Sequence, residues 1–319
     1  MTLAQDHRFV ALLRSRVAGE VREAEPLARY STYRIGGPAT VFLPGTVADA
    51  ATGLATAAEA GVPVFPLGLG SNVLLPDAGL DALVLRLGKG LDQVDRADGT
   101  WRIGAGLPAP LAARRTAEAG WAGLHMMVGV PGTVGGGVYM NAGCHGGQWA
   151  DVVTRVTVLD RHGTLGERSR DQIPFAYRQS GLGELVVVAA EVRLQPGDPA
   201  RLRAEVQRLF EWRQNGTPFN QPCCGSVFRN PDWPAGPPAP DRRTAGQLIE
   251  AAGLKGMRAG GAEISAVHAN YFINRGDATA GDVLTLIREA RAAVAARFGV
   301  ELHPEVRILD SLGRVTALS

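Results

Sequence analysis

The chain has 319 residues, 45% of them apolar and 20% charged, with 33 basic residues against 31 acidic for a net charge of +2. That suits a globular protein with room for two or three packed units, and the interspersed, nearly balanced charge disfavours nucleic acid and anionic membrane as partners. No apolar run nears the roughly 18 residues of a membrane helix, the start MTLAQDHRFV lacks the pattern of a secretory signal, and neither Cys144, Cys223 and Cys224 nor the six scattered histidines form a metal motif, so a cytoplasmic protein without membrane or metal is expected.

In chain order, residues 7–17 have the spacing of a short amphipathic helix, and a turn at Thr32-Tyr33-Arg34-Ile35-Gly36-Gly37-Pro38 precedes a strand at 40–43. The alanine-rich run 47–60, with Gly61 behind it, reads as a helix with its stop. A strand at 62–67 runs into Gly68-Leu69-Gly70-Ser71-Asn72 and then Val73-Leu74-Leu75. This is not a dinucleotide fingerprint, because the third glycine of G-x-G-x-x-G falls at Val73 and strand follows instead of helix. What remains is a turn between strands whose amides, with the Ser71 hydroxyl and the Asn72 amide, either bind a phosphate or simply make the turn.

Strands at 83–87 and 101–104 and a helix at 108–119, closed by Gly120, lead to the stretch 123–147, GLHMMVGVPGTVGGGVYMNAGCHGG. It is too apolar for a linker, and its glycines give back no side-chain packing. Two readings fit. Backbone comes close to a ligand, with glycine amides forming an anion-binding concavity beside Thr133 and Asn141 as side-chain donors, or the stretch is a packed turn region with no ligand. Alternating strands at 152–159 and 185–194, with a turn at Arg161-His162-Gly163, complete an α+β first part that ends near Pro196-Gly197-Asp198-Pro199. A charged helix at 200–214 follows, then QPCCGSVFRNP from Gln221 and a proline-dense loop through Pro240, expected to be exposed and irregular. Thr244 caps a helix to Ala252, Thr279 and Asp282 form a capping box before a helix stopped by Gly299, and 304–309 reads as a last strand.

With both glycine turns, FAYR at 175–178, GSVFRNP at 225–231 and PEVR at 304–307 in one order, the chain resembles the UDP-N-acetylenolpyruvoylglucosamine reductase family from Tyr33 to Arg307. The resemblance implies an α+β architecture. It comprises a vanillyl-alcohol-oxidase-type FAD-binding fold of two α+β subdomains (1–82 and 83–197), a C-terminal α+β substrate domain (198–303), and residues 304–319 returning as a strand to the active site. It also implies non-covalent FAD, NADPH as reductant and UDP-N-acetylglucosamine enolpyruvate as substrate, in peptidoglycan precursor synthesis, with a monomer as the expected state. His125 and His145 could suggest a covalent flavin link, but the family uses none. Only residues 179–184 join FAYR to the next strand, too few for the tyrosine-bearing loop that one subclass folds over its substrate, so the likeness is to the loop-less second subclass.

The implied reaction carries a hydride from NADPH through FAD to C3 of an enolpyruvyl ether. It needs a cation for the carboxylate, support for the charge spreading there from C2, and a proton for C2. By resemblance Arg178 holds the carboxylate, a task suited to a planar guanidinium that keeps its proton. Glu305 stands by the same carboxylate and donates a hydrogen bond if burial and the neighbouring anion keep it protonated. Ser226 is the proton donor, a weak acid that serves only against a strongly basic carbanion in a water-poor site. On residue type alone, Arg178 also reads as a surface arginine, Glu305 as an ion-pair partner of Arg307, and Ser226 as a turn residue.

Tyr177, Asn230, Lys255 and His268 fall where the family contacts the nucleotide sugar. Lys255 is suited to the diphosphate, while His268 also reads as a packed histidine. FAD contacts carry over to Tyr33, Arg34, Gly68, Leu69, Gly70, Ser71, Asn72, Val73, Gly129, Val130, Pro131, Thr133, Gly135, Gly136, Asn141, Ala142 and Gly143. Two other readings keep the glycine turns: a related flavin oxidase acting on an alcohol or sugar, and a flavin- or nucleotide-binding module without chemistry.

Overall fold

The computed structural model describes Ala4 and residues 6–232 and 242–316, so the stretch 233–241 of the expected proline-dense loop lies outside it. The chain falls into two compact units. Met1–Glu25, Pro38–Leu69 and Leu80–Trp212 form the first, and Pro26–Gly37, Gly70–Gly79 and Arg213–Ser319 form the second. These units cut the chain at other places than the four-part division above, and one cut runs through a glycine turn, between Leu69 and Gly70.

The first unit opens with helix α1 (His7–Arg16), capped by the Asp6 side chain accepting from the Arg8 amide, with Phe9, Val10 and Leu13 buried. Its four-stranded sheet has the order Glu20–Pro26, Pro38–Leu43, Leu83–Arg86, Val64–Leu67, the last three parallel. Strand Glu20–Pro26 escapes the hydrophobic pattern because Val21 is its one buried residue; it is a charged edge strand. Helix α2 (Val47–Glu59), capped by Thr46, contributes Leu54 and Ala57 to a core with Phe42, Leu83 and Leu85.

A five-stranded antiparallel sheet follows in the order Leu165–Ser169, Val153–Leu159, Val186–Arg193, Thr100–Gly104, Val94–Ala97. Its core joins Ile103, Val156 and Val192 to α3 (Ala109–Glu118), α4 (Val134–Tyr139) and α5 (Pro199–Gly216) through Ala113, Val138 and Leu209. Helix α4 lies inside the glycine-rich stretch, behind a 3-10 turn at His125–Gly129. Pattern reading gives no helix there, since each interior glycine costs about 1 kcal/mol relative to alanine. Packing supplies the reason for two of them. A Cβ on Gly135 would lie 2.8 Å from the Ala105 Cβ, and one on Gly137 would overlap the buried Trp149 indole.

The second unit holds a three-stranded antiparallel sheet, Arg258–Ala259, Ala262–Ile264 and Phe272–Asn274, with helices α6 (Ala245–Ala251) and α7 (Ala280–Phe298). Its core joins Phe228, Leu248, Ile264, Phe272 and Leu286 to three residues from the first quarter of the chain, Tyr33, Ile35 and Leu74. The expected strand at 304–309 reduces to Arg307–Ile308, parallel to Val73–Leu74, and isolated bridges from Pro304 to Phe228 and from Leu309 to Val315. The capping box of Thr279 and Asp282 is present, and α7 ends at Gly299 in the left-handed conformation, φ 66°. A second anchor reaches the start of α7: the Asp77 carboxylate accepts from the amides of Ala280 at 2.8 Å and Gly281 at 3.4 Å.

Candidate functional site

In the first unit the FAYR residues make a tight turn. The Ala176 amide donates to the Gln179 carbonyl at 2.9 Å and the Gln179 amide to the Ala176 carbonyl at 3.2 Å, leaving Tyr177 and Arg178 at the tip. Arg178 has φ 58°, a region where a side chain costs about 1–2 kcal/mol and glycine is the usual occupant. Its guanidinium carbon lies 4.8 Å from the Tyr177 ring centre, and its Nη2 donates to the Gly143 carbonyl at 3.0 Å. Tyr177 is 46% exposed.

This turn is tied to the glycine-rich stretch by Asn141. Its Nδ2 donates to the Ala176 carbonyl at 2.9 Å and to Gln148 Oε1 at 3.0 Å, while its Oδ1 accepts from the Ala150 amide at 3.0 Å. Both amide hydrogens are engaged and the residue is buried, so the side chain seats the turn that carries Arg178. The glycine amides are engaged as well. Val134 and Gly135 donate to the Leu107 and Ala105 carbonyls, Gly136 to Thr133 Oγ1, and Gly137 to the Thr133 carbonyl. The expected anion-binding concavity of successive amides is therefore not formed by residues 134–137.

Gly68, Thr133 and Gly136 offer a stretch of wall nearly free of side chains. Gly68 and Thr133 are brought together, since a Cβ on Gly68 would lie 2.6 Å from Thr133 Oγ1. Gly136 is exposed, and a Cβ there would meet only Thr133 Oγ1, at 3.5 Å. Leu69, Val130, Pro131, Ala142 and Gly143 are at least partly exposed in the same unit, while Gly129 and Gly135 are buried. Bare backbone flanked by small apolar groups fits a flat ring system that must approach closely. His125 Nδ1 accepts from the Gly123 amide at 3.2 Å, and His145 packs edge-on to Trp212 at 4.8 Å.

In the second unit the Tyr33 side chain is 0% exposed and shares the core with Cys224. Burial raises both Tyr33 and Cys224 well above their ordinary values, so both stay neutral. The Tyr33 ring thus belongs to the core of this unit. Arg34, next to it, is exposed with φ 56°. The Thr32 amide donates to the Gly70 carbonyl at 3.2 Å, and Gly70 has φ 63°. Asn72 Nδ2 donates to the Glu305 carbonyl at 3.2 Å, and the Arg307 amide donates to the Asn72 carbonyl at 3.0 Å. Residues 70–73, with Ser71 partly exposed and Val73 buried, thus lie along the segment carrying Glu305.

The Ser226 segment meets the same strand. The Val227 carbonyl accepts from the Glu305 amide at 2.7 Å and the Val306 amide at 3.3 Å. Ser226 and Glu305 are both partly exposed, and the Glu305 charge helps to raise Cys224. Lys255 and His268 are also brought near each other. Lys255 Nζ pairs with Glu250 Oε1 at 2.7 Å, and His268 is held below its ordinary value first by burial and then by the Lys255 charge. His268 Nδ1 accepts from the Asn270 amide at 3.2 Å, and its ring stands edge-on to Tyr271 at 4.8 Å. Asn230 Oδ1 accepts from the Ala245 amide at 3.1 Å, at the start of α6. Tyr177 and Arg178 thus belong to the first unit, and Ser226, Asn230, Lys255, His268 and Glu305 to the second.

Two residues that pattern reading missed organise this unit. Asn270 and Asn274, in His268-Ala269-Asn270-Tyr271-Phe272-Ile273-Asn274, are both buried. Asn274 Nδ2 donates to the Tyr33 carbonyl at 2.9 Å, and its Oδ1 accepts from the amides of Gly276 and Ala278 at 2.7 and 3.1 Å. Two asparagines bracketing an apolar run were the available signal, because a buried amide must find partners. Among the described residues, no group of three or more His, Cys, Asp or Glu side chains could hold a metal, and no helix is long and apolar enough to cross a membrane.

Two family models match the chain: an FAD binding domain over residues 38–167, and the C-terminal domain of UDP-N-acetylenolpyruvoylglucosamine reductase over residues 217–309. The UDP-N-acetylenolpyruvoylglucosamine reductase of Rubrobacter xylanophilus is 43% identical over 291 residues, 89% of this chain and 94% of that protein. The one from Halalkalibacterium halodurans is 38% identical over 305 residues, 95% and 98%. Among solved structures, the UDP-N-acetylenolpyruvylglucosamine reductase of Thermus caldophilus superposes with a TM-score of 0.76 at 32% identity, covering 91% of this chain and 99% of that one. The expected α+β fold with its FAD-binding part is borne out, and the protein is an FAD-dependent oxidoreductase. At such identity over nearly its whole length, the chain belongs to the UDP-N-acetylenolpyruvoylglucosamine reductase family.

Proposed function

We propose that the chain reduces the enolpyruvyl group of UDP-N-acetylglucosamine enolpyruvate to give UDP-N-acetylmuramate, with NADPH as reductant, as a cytoplasmic step of peptidoglycan precursor synthesis. Family membership supports the coarser part, reduction of UDP-N-acetylenolpyruvoylglucosamine with FAD. The observation that carries the residue-level reading is the backbone contact of Val227 with Glu305 and Val306, which joins the segments of the proposed proton donor and the proposed carboxylate partner in one unit.

FAD would be held in the first unit by Gly68, Leu69, Val130, Pro131, Thr133, Gly136, Ala142 and Gly143. Bound there without a covalent link, it supplies the hydride. Arg178 binds the substrate carboxylate, and its exposed, strained turn is a position kept for the guanidinium and not for the backbone. Ser226 delivers a proton to C2, and Glu305, once the neighbouring substrate anion brings it to its protonated form, donates a hydrogen bond to the carboxylate as charge gathers on it. Lys255, His268, Tyr177 and Asn230 receive the nucleotide sugar, Lys255 by pairing with the diphosphate in place of Glu250.

Anaerobic stopped-flow absorbance tests this reading. NADPH is expected to bleach the flavin and the enolpyruvyl nucleotide to restore its colour; bleaching without recovery removes the substrate assignment and leaves the flavin fold. In Ser226→Ala, bleaching stays near the parent rate while recovery slows, and equal loss in both phases removes the proton-donor role.

A further inference from the structure

We infer that Asn270 is a positioning residue for proton delivery in this reduction, acting through the backbone that carries Ser226; the inference rests on the function proposed above. Asn270 is 4% exposed and grips the two residues after Ser226 as a strand partner would. Its carbonyl accepts from the Val227 amide at 2.9 Å, its Oδ1 from the Phe228 amide at 2.9 Å, and its Nδ2 donates to the Phe228 carbonyl at 2.8 Å. The Val227 carbonyl, fixed in this way, takes the Glu305 and Val306 amides. On its other side the Asn270 amide donates to His268 Nδ1, which places the His268 proton on Nε2. The Asn270 side-chain amide therefore holds Phe228, two residues beyond Ser226, while its backbone carbonyl holds Val227 and its backbone N–H sets the tautomer of His268. A side chain of another shape leaves the Phe228 amide and carbonyl without partners and lets Ser226 drift, and a shift of about 1 Å at a reacting group costs on the order of 100-fold in rate.

The test uses the FAD-loaded enzyme and follows both phases in H2O and D2O for Asn270→Ala, Asn270→Asp, Ser226→Ala and the double variant Ser226→Ala/Asn270→Ala. Asn270→Asp keeps the acceptor for the Phe228 amide and serves if the alanine variant does not fold. Expected is a flavin reduction by NADPH within twofold of the parent, reoxidation by the enolpyruvyl nucleotide slowed about 10–100-fold, and a larger solvent isotope effect on reoxidation. In the Ser226→Ala background Asn270→Ala should add less than twofold, since both changes act on one step. Asn274→Ala, which frees the Tyr33 carbonyl and leaves residues 226–228 alone, should lower the melting temperature without raising the isotope effect. Equal slowing of both phases, full multiplication of the two substitutions, or an unchanged isotope effect overturns the role of Asn270. If the parent flavin is not reoxidised by the nucleotide, the proposed function fails and this inference with it. Reoxidation of the parent with an unaffected Asn270→Ala removes this inference alone.

Discussion

Arg178 occupies a backbone region in which glycine would be more stable by about 1 kcal/mol or more, and its compensation includes a stack on Tyr177 and a bond to Gly143. Arg178→Gly should therefore melt within a few degrees of the parent, while substrate-driven flavin reoxidation falls on the order of 100–1,000-fold, as for loss of a charge-stabilising donor. Thermal melting and single-turnover absorbance separate the two. Arg178→Lys restores charge without the fork and should recover only part of the rate. The histidines make a prediction about pH. His125 and His268 are both held below their ordinary value of 6.5, chiefly by burial. The unfolded chain binds protons near that pH which the folded chain refuses until lower pH, so their contribution is whole above it and fades as pH falls through the folded values. Melting temperature should drop between pH 7.5 and pH 5, and His125→Gln with His268→Gln should flatten that drop. The depressed carboxylates, such as Glu205 and Asp282, act only in a more acidic window.

Helix α4 divides its three consecutive glycines between packing and surface. Gly135→Ala presses on Ala105 and should cost about 1–3 kcal/mol. Gly136→Ala meets nothing closer than 3.5 Å and gains about 1 kcal/mol of helix propensity, so the apoprotein should melt a few degrees higher. If FAD lies on that wall, the same variant binds it more weakly, which fluorescence titration measures. Helices with caps and stops were legible in the sequence, for Thr244, Thr279, Gly61 and Gly299 act locally. Helix α4 was not, because the contacts that require its glycines come from Ala105 and Trp149 on other elements. The two- and three-residue strands of the second unit are too short to show a period. At the site, Arg178, Ser226 and Glu305 stood out by the order of motifs along the chain, as no local physics distinguishes them from turn or surface residues. The intramolecular bonds of Asn141 were not legible either, for an amide has the same composition whether it faces a ligand or its own backbone.

The second unit is assembled from three separated stretches of sequence, and its core includes Tyr33, Ile35 and Leu74. A fragment beginning at Arg213 would lack those three side chains, the strand that pairs with Arg307–Ile308 and the Asp77 carboxylate on α7. It should show little fixed structure by near-ultraviolet circular dichroism, although it contains the whole C-terminal family match. A cooperative transition for that fragment alone would contradict this account. Within the full chain, Asp77→Ala should cost about 1 kcal/mol by removing an acceptor and a negative charge from the first turn of α7.

The bond between Asn72 and Glu305 spans 233 residues. At roughly 5–20 residues per second, a ribosome needs on the order of ten seconds or more to make the later partner after the earlier one has emerged. Through that interval Tyr33, Ile35 and Leu74 are apolar surface waiting for a core that has not been translated, so the nascent chain passes through a stage in which holding chaperones have a defined target, the stretches 26–37 and 70–79.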